Sequence, residues 1–126
     1  MRIFALTIES GGMARVDEES IARIERGLAG VMRHLGMRRD GPPPAANPVW
    51  IDRNEVVRAG ATGLFYGAVR PGDTVIEGAV IGRITDFHGR TLETIRAPFA
   101  GEVLYIIGTP AMTRDEPVAF IGQVKR

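Results

Sequence analysis

The stretch Arg39-Asp40-Gly41-Pro42-Pro43-Pro44-Ala45-Ala46-Asn47-Pro48 constrains this chain more than any other feature. Proline locks φ, removes a backbone donor and pushes the residue before it out of the helical region. No helix and no central strand can therefore run through this segment. Its composition predicts a stiff polyproline-type linker over 39–48, with a domain boundary there. Each side of the linker must fold on its own pattern, and the two patterns differ in period.

Ahead of the linker, Ile3-Phe4-Ala5-Leu6-Thr7-Ile8 is an apolar, β-branched run with the length of a buried strand. It ends at Glu9, and Ser10-Gly11-Gly12 punctuates the chain. Asp17 is a good helix N-cap, with Glu18 and Glu19 in the first turn where the helix dipole favours negative charge. Ile21, Ile24, Leu28, Val31, Met32 and Leu35 then recur at helical spacing and form one apolar stripe. Gly36 stands where a C-cap glycine belongs. Gly27 and Gly30 inside the helix cost about 1 kcal/mol each relative to alanine, which predicts a close backbone neighbour on that side. Burying such a stripe is worth on the order of 10 kcal/mol gross, and a single strand cannot cover it. The stripe is therefore expected to be covered by another copy of the chain, or left partly exposed.

Beyond the linker, short apolar runs alternate with glycine turns, an all-β signature. Strands are expected at Val49–Asp52, Glu55–Arg58, Gly63–Tyr66, Val80–Asp86, Arg90–Arg96, Gly101–Ile106 and Ala119–Gln123. An internal repeat runs through them. Gly63-Leu64-Phe65, Pro71-Gly72-Asp73-Thr74-Val75, Glu77-Gly78 and Val80-Ile81-Gly82 are echoed by Gly101-Glu102-Val103, Arg114-Asp115-Glu116-Pro117-Val118 and Phe120-Ile121-Gly122. Two such halves folded together make a β-sandwich with pseudo-twofold symmetry. That layout resembles the barrel-sandwich hybrid of lipoyl and biotinyl carrier domains. Those carriers hold their cofactor on a lysine at a hairpin tip. The corresponding tip, Asp86-Phe87-His88-Gly89, has no lysine, and the only lysine is Lys125. Swinging-arm chemistry is excluded.

Composition removes several other classes. The chain has 126 residues and no cysteine, so disulfides, thiolate zinc sites and cysteine nucleophiles are absent together. Net charge is +1, and all but one of the 16 basic residues are arginine. The cluster Arg33, Arg38 and Arg39 has no aromatic or motif signal beside it, so nucleic-acid binding is not expected. No run reaches the roughly 18 apolar residues of a membrane span, and no signal-peptide pattern opens the chain, so a cytoplasmic location is expected. His34 and His88 sit on different elements without a zinc-binding pattern. His34 suits a helix C-terminus, and His88 a turn. No dinucleotide fingerprint and no serine triad occurs. Glu9 is the one candidate catalytic residue, because a carboxylate at a strand's C-terminal end faces the crevice where α/β sheets bind ligands.

Three segments in order carry a resemblance: Leu6-Thr7-Ile8-Glu9-Ser10-Gly11-Gly12, then Gly27-Leu28-Ala29-Gly30-Val31-Met32-Arg33-His34-Leu35-Gly36-Met37, then Gly63-Leu64-Phe65 through Gly72-Asp73-Thr74-Val75 and Ile81-Gly82. The chain resembles, over nearly its whole length, the C-terminal portion of the succinylglutamate desuccinylase/aspartoacylase family. The resemblance implies a mainly β fold: a barrel-sandwich-hybrid-like domain at 49–126, preceded at 1–38 by a strand–helix remnant of an α/β, zinc-carboxypeptidase-like catalytic domain. It also implies a zinc-dependent amidohydrolase acting on N-acyl amino acids or related compounds. Its Thr-x-Glu setting matches Thr7-Ile8-Glu9, which makes Glu9 the general base that activates zinc-bound water. The family's His-x-x-Glu pair and later His ligate zinc upstream of these segments, so no zinc ligand is expected in this chain. Ser10, where a small or apolar residue is common, is a departure. The chain alone is expected to be inactive and to self-associate through the helix stripe. Two alternatives remain, a non-catalytic β-sandwich interaction module and a subunit that complements a separate N-terminal half.

Overall fold

The computed structural model describes residues 5, 7, 8, 10–12 and 16–125, and the chain divides into two compact units, Met1–Pro48 and Val49–Arg126. Among the described residues the fold is mainly β, with one helix and two antiparallel sheets.

In the first unit the helix α1 spans Glu18–His34. Asp17 caps it by accepting from the Glu19 N–H at 3.2 Å, and the buried Ser20 hydroxyl donates to the same carboxylate. Its C-terminus closes with paired bonds, Gly36 N–H to the Arg33 carbonyl at 3.0 Å and Met37 N–H to the Met32 carbonyl at 2.9 Å. That pairing requires a left-handed residue at position 36, and Gly36 has φ +71°. The stripe residues Ile21, Leu28, Val31, Met32 and Leu35 are exposed and Ile24 is half-buried. The strand expected at Ile3–Ile8 falls largely outside the described residues, and Ala5, Thr7 and Ile8 carry no regular structure.

The proline segment folds back along α1. Arg33 Nη1 donates to the Gly41 carbonyl at 3.2 Å, and a Cβ on Gly41 would lie 2.7 Å from the Ala29 carbonyl oxygen. Gly30 faces Pro42, where a Cβ would make ordinary contact at 3.7 Å. The backbone neighbour expected beside Gly30 is thus the chain's own proline segment. Gly27 has nothing within 4 Å of a built Cβ. Gly27→Ala is accordingly expected to stabilise α1 by about 1 kcal/mol. A helix melting transition, followed by circular dichroism, that failed to rise would contradict this.

The second unit holds eight strands: β1 Ile51–Arg58, β2 Gly63–Gly67, β3 Thr74–Val75, β4 Val80–Thr85, β5 Thr91–Arg96, β6 Gly101–Ile106, β7 Ala111–Met112 and β8 Pro117–Val124. They form two sheets with the orders β1-β8-β6-β3 and β5-β4-β2-β7. The expected strands Val49–Asp52 and Glu55–Arg58 merge into one strand, β1, because Arg53 and Asn54 continue the pairing with β8 after a register shift at Asp52.

Reading the two orders side by side maps β1 onto β5, β8 onto β4, β6 onto β2 and β3 onto β7. The same hydrogen bonds recur in both halves. Gly78 N–H reaches the Ala97 carbonyl at 2.8 Å, and Asp115 N–H reaches the Ala59 carbonyl at 2.8 Å. Arg96 Nη1 donates to the Gly78 carbonyl at 2.9 Å, and Arg58 Nη1 to the Asp115 carbonyl at 2.7 Å. Gly78 and Asp115 both have positive φ, +77° and +70°. The repeat is real, but its pairing differs from the sequence reading. Val80-Ile81 corresponds to Pro117-Val118, and Ile84 rather than Ile81 corresponds to Ile121. The Ile-Gly pairs that suggested the alignment match only in letters.

One core joins the sheets, and it too is paired: Phe65 with Val103, Val75 with Met112, Ile81 with Val118, Ile84 with Ile121, Ala59 with Ala97. All are buried. An isoleucine buried to this degree contributes about 1.5–3 kcal/mol.

Candidate functional site

Glu9 lies outside the described residues. Its described surroundings include Ser10, whose hydroxyl oxygen is buried without a hydrogen-bond partner among the described residues. Gly11 follows with φ +85°, a conformation that favours glycine. A Cβ there would sit 3.7 Å from the Ser20 Oγ, so Gly11 lies against the first turn of α1. The Ser20 hydroxyl, above all, holds the Asp17 carboxyl below its usual range, with backbone N–H donors adding to the effect. Asp17 is thus a fixed anionic cap on the helix that follows the candidate residue.

Among the described residues no three His, Cys, Asp or Glu side chains gather where they could hold a metal ion. His34 ends α1 in the first unit, and His88 occupies the β4–β5 turn in the second. The described residues do not form a zinc site, since such a site needs at least three protein ligands.

The β4–β5 hairpin tip is built around Asp86. Its carboxylate accepts from the His88 N–H and the Arg90 N–H, both at 2.9 Å, and from Arg90 Nε at 3.2 Å. Gly89 turns the chain with φ +85°, and Phe87 stands exposed at the tip. The Arg90 backbone N–H, chiefly, holds the Asp86 carboxyl below its usual range, against partial desolvation. A carboxylate with a depressed folded pKa stabilises the fold above its unfolded pKa, and that contribution is lost as pH falls through the folded value. Below about pH 4 the wild-type urea midpoint should therefore fall more steeply than that of Asp86→Asn. Parallel acid profiles for the two proteins would refute the assignment.

A cleft of about 630 Å³ lies at the open end of the first sheet, lined by Asp52, Thr74, Glu102 and Gln123 over an apolar floor that includes Val75 and Val124. Sequence reasoning named none of these as a site residue. They come from four strands, and only the order β1-β8-β6-β3 brings them together. The other sheet has the β4–β5 hairpin at the equivalent place. Here β8 and β1 are not joined by a turn, which leaves the end open.

No family model and no curated protein matches the chain. Solved structures do. The chain is 27% identical to a succinylglutamate desuccinylase/aspartoacylase from Rhodobacter sphaeroides, with a TM-score of 0.77, over 88% of this chain and 38% of that one. It is 23% identical to the product-bound ectoine utilization protein EutE (DoeB) from Ruegeria pomeroyi, with a TM-score of 0.81, over 91% and 36% of the two chains. Similarity to a succinylglutamate desuccinylase from Silicibacter sp. TM1040 is 22% in identity and 0.77 in TM-score, over 93% and 37%. These last two show the shared fold. The chain spans less than two-fifths of the length of each of these proteins. By these matches the chain has the fold of a C-terminal portion of succinylglutamate desuccinylase/aspartoacylase family proteins, and it is similar in sequence to one of them at 27% identity.

Proposed function

We propose that this chain is the C-terminal portion of a zinc-dependent amidohydrolase that deacylates N-acyl amino acids or related compounds. In this reading it is inactive until an N-terminal half bearing the zinc ligands completes it. The coverage carries the reading: 88% of this chain matches only 38% of a family protein at 27% identity. One feature of the chain agrees with it: most of the apolar stripe of α1 lies exposed, a face that an amphipathic helix buries against a partner. Glu9 serves as the general base of the completed enzyme. The second unit, a barrel-sandwich-like domain in this reading, shapes the mouth of the active site. Alone, the chain covers its stripe with that of another copy, and its setting is the cytoplasm.

Mixing tests the proposal. The purified chain alone should bind no zinc tightly and hydrolyse no N-acyl amino acid. Adding a family N-terminal half with its His-x-x-Glu motif should produce turnover. Tight zinc binding and turnover by the 126-residue chain alone would sink the idea. A second reading, a non-catalytic β interaction module, is favoured by the closed core of the second unit. Failure to complement any such half, with the β unit folded, would support that alternative.

A further inference from the structure

The two sheets are built alike, yet their outer faces are not. On the second sheet the central outer row reads Tyr66, Arg83, Thr94 across β2, β4 and β5. The Arg83 guanidinium stands over the Tyr66 ring, 5.3 Å from its centroid. The equivalent row of the first sheet reads Tyr105, Phe120, Val56 across β6, β8 and β1. Tyrosine is kept, but phenylalanine replaces the arginine and valine the threonine. Beside this row, Leu104 and Ile51 lie over Gly122, where a Cβ would come within 2.7 Å of Leu104 and 3.0 Å of Ile51. Leu104, Tyr105 and Val56 are 38%, 42% and 41% exposed. The pseudo-symmetric partner acts as an internal control. It shows that this position in the fold tolerates a charged, solvated row, so the apolar row is a property of the sequence at this face alone.

The charges flanking the row are opposed. Glu102 lies at one end, paired in register with Gly122, and Arg58 at the other, in register with Pro117. A two-fold axis in the plane of the face, crossing the strands at Phe120, sets Glu102 of one copy against Arg58 of the other. Apolar rows then meet at the centre, as in aligned sheet-on-sheet packing. We propose that this outer face, centred on Phe120, is a homodimer interface for a second copy of the chain.

The test uses Phe120→Arg, which installs the residue its pseudo-symmetric equivalent already carries, with Tyr105 placed to receive it as Tyr66 receives Arg83. The fold should therefore survive, and an unchanged far-ultraviolet spectrum and urea midpoint would verify that. Sedimentation is measured in a Leu28→Lys background, which removes association through α1. That single variant should still dimerise, and adding Phe120→Arg should weaken the dimer at least about 100-fold. The charge-reversed Arg58→Glu should weaken it less, with partial recovery on pairing with Glu102→Arg. Three outcomes would overturn the proposal: a monomer at all concentrations in the Leu28→Lys chain, a dimer indifferent to Phe120→Arg, or dissociation of the dimer when a family N-terminal half is added, which would assign the face to that half.

Discussion

Alanine at Gly63 is expected to destabilise the second unit by about 3 kcal/mol, and alanine at Gly101 by a similar amount. A Cβ on Gly63 would lie 2.2 Å from the Thr85 carbonyl oxygen and 2.9 Å from the Ile84 Cγ2. On Gly101 it would lie 2.4 Å from the Gly122 carbonyl oxygen and 3.2 Å from the Ile121 Cγ2. In both cases the first obstacle is backbone in the neighbouring paired strand, which cannot rotate away as a side chain can. Relief requires β2 to part from β4, or β6 from β8, and each of those pairs carries the core isoleucine named in the clash. Urea denaturation of both variants gives the measurement. The two midpoints should fall together, because the sites are equivalent in the pseudo-twofold arrangement. A normal midpoint in either variant would show that the strands are not this close.

The second large effect concerns Glu9. In the complemented enzyme, Glu9→Gln should lower kcat by about 10²–10⁴-fold while leaving KM within a few-fold of wild type. Glutamine keeps the size and hydrogen-bonding reach of the side chain but cannot take a proton. A loss confined to kcat is the mark of a group acting in the transition state rather than in binding. Retained turnover would remove Glu9 from the chemistry. A loss confined to assembly with the N-terminal half would instead make it a structural residue of the interface between the halves.

Much of the fold is legible in the sequence because its signals are local. Asp17 caps α1, and Gly36 takes the left-handed position that ends it, because capping needs only a few residues of known chemistry. Strand β6 runs over Gly101–Ile106 as its composition predicts. The two-residue strands β3 and β7 were invisible, since periodicity cannot register in so short a run. They exist because each half extends a short strand into the other half's sheet, pairing Val75 with Gly101 and Met112 with Gly63. The repeat was visible but misaligned for a related reason. Matching the Ile-Gly letters ignores the turn at Gly78 and Asp115, where the hydrogen bonds of the two halves coincide.

One broken correspondence shows how a local residue change is read only in three dimensions. Glu93 on β5 accepts from the Gly60 N–H at 2.8 Å. Its equivalent on β1, Glu55, would need a donor at position 98, where proline has no N–H to give. Glu55 pairs with Arg53 at 3.6 Å instead. Arg53 in turn covers the buried Phe99 ring at 4.2 Å.

The sequence by itself determined the helix and its two caps and the all-β character after the proline segment, and it carried the resemblance to the family whose fold the chain shares. It also named Glu9 as the candidate base, and it ruled out thiol and carrier-lysine chemistry by the absence of the atoms concerned. These are properties of single residues or of residues close along the chain. Only the tertiary structure decided that the proline segment lies along α1, that the two halves exchange short strands, and that Phe120 stands where its counterpart is Arg83. Those facts join residues tens of positions apart, and their physical cause is the pairing of backbone donors and acceptors between distant strands, which no local pattern of side chains records.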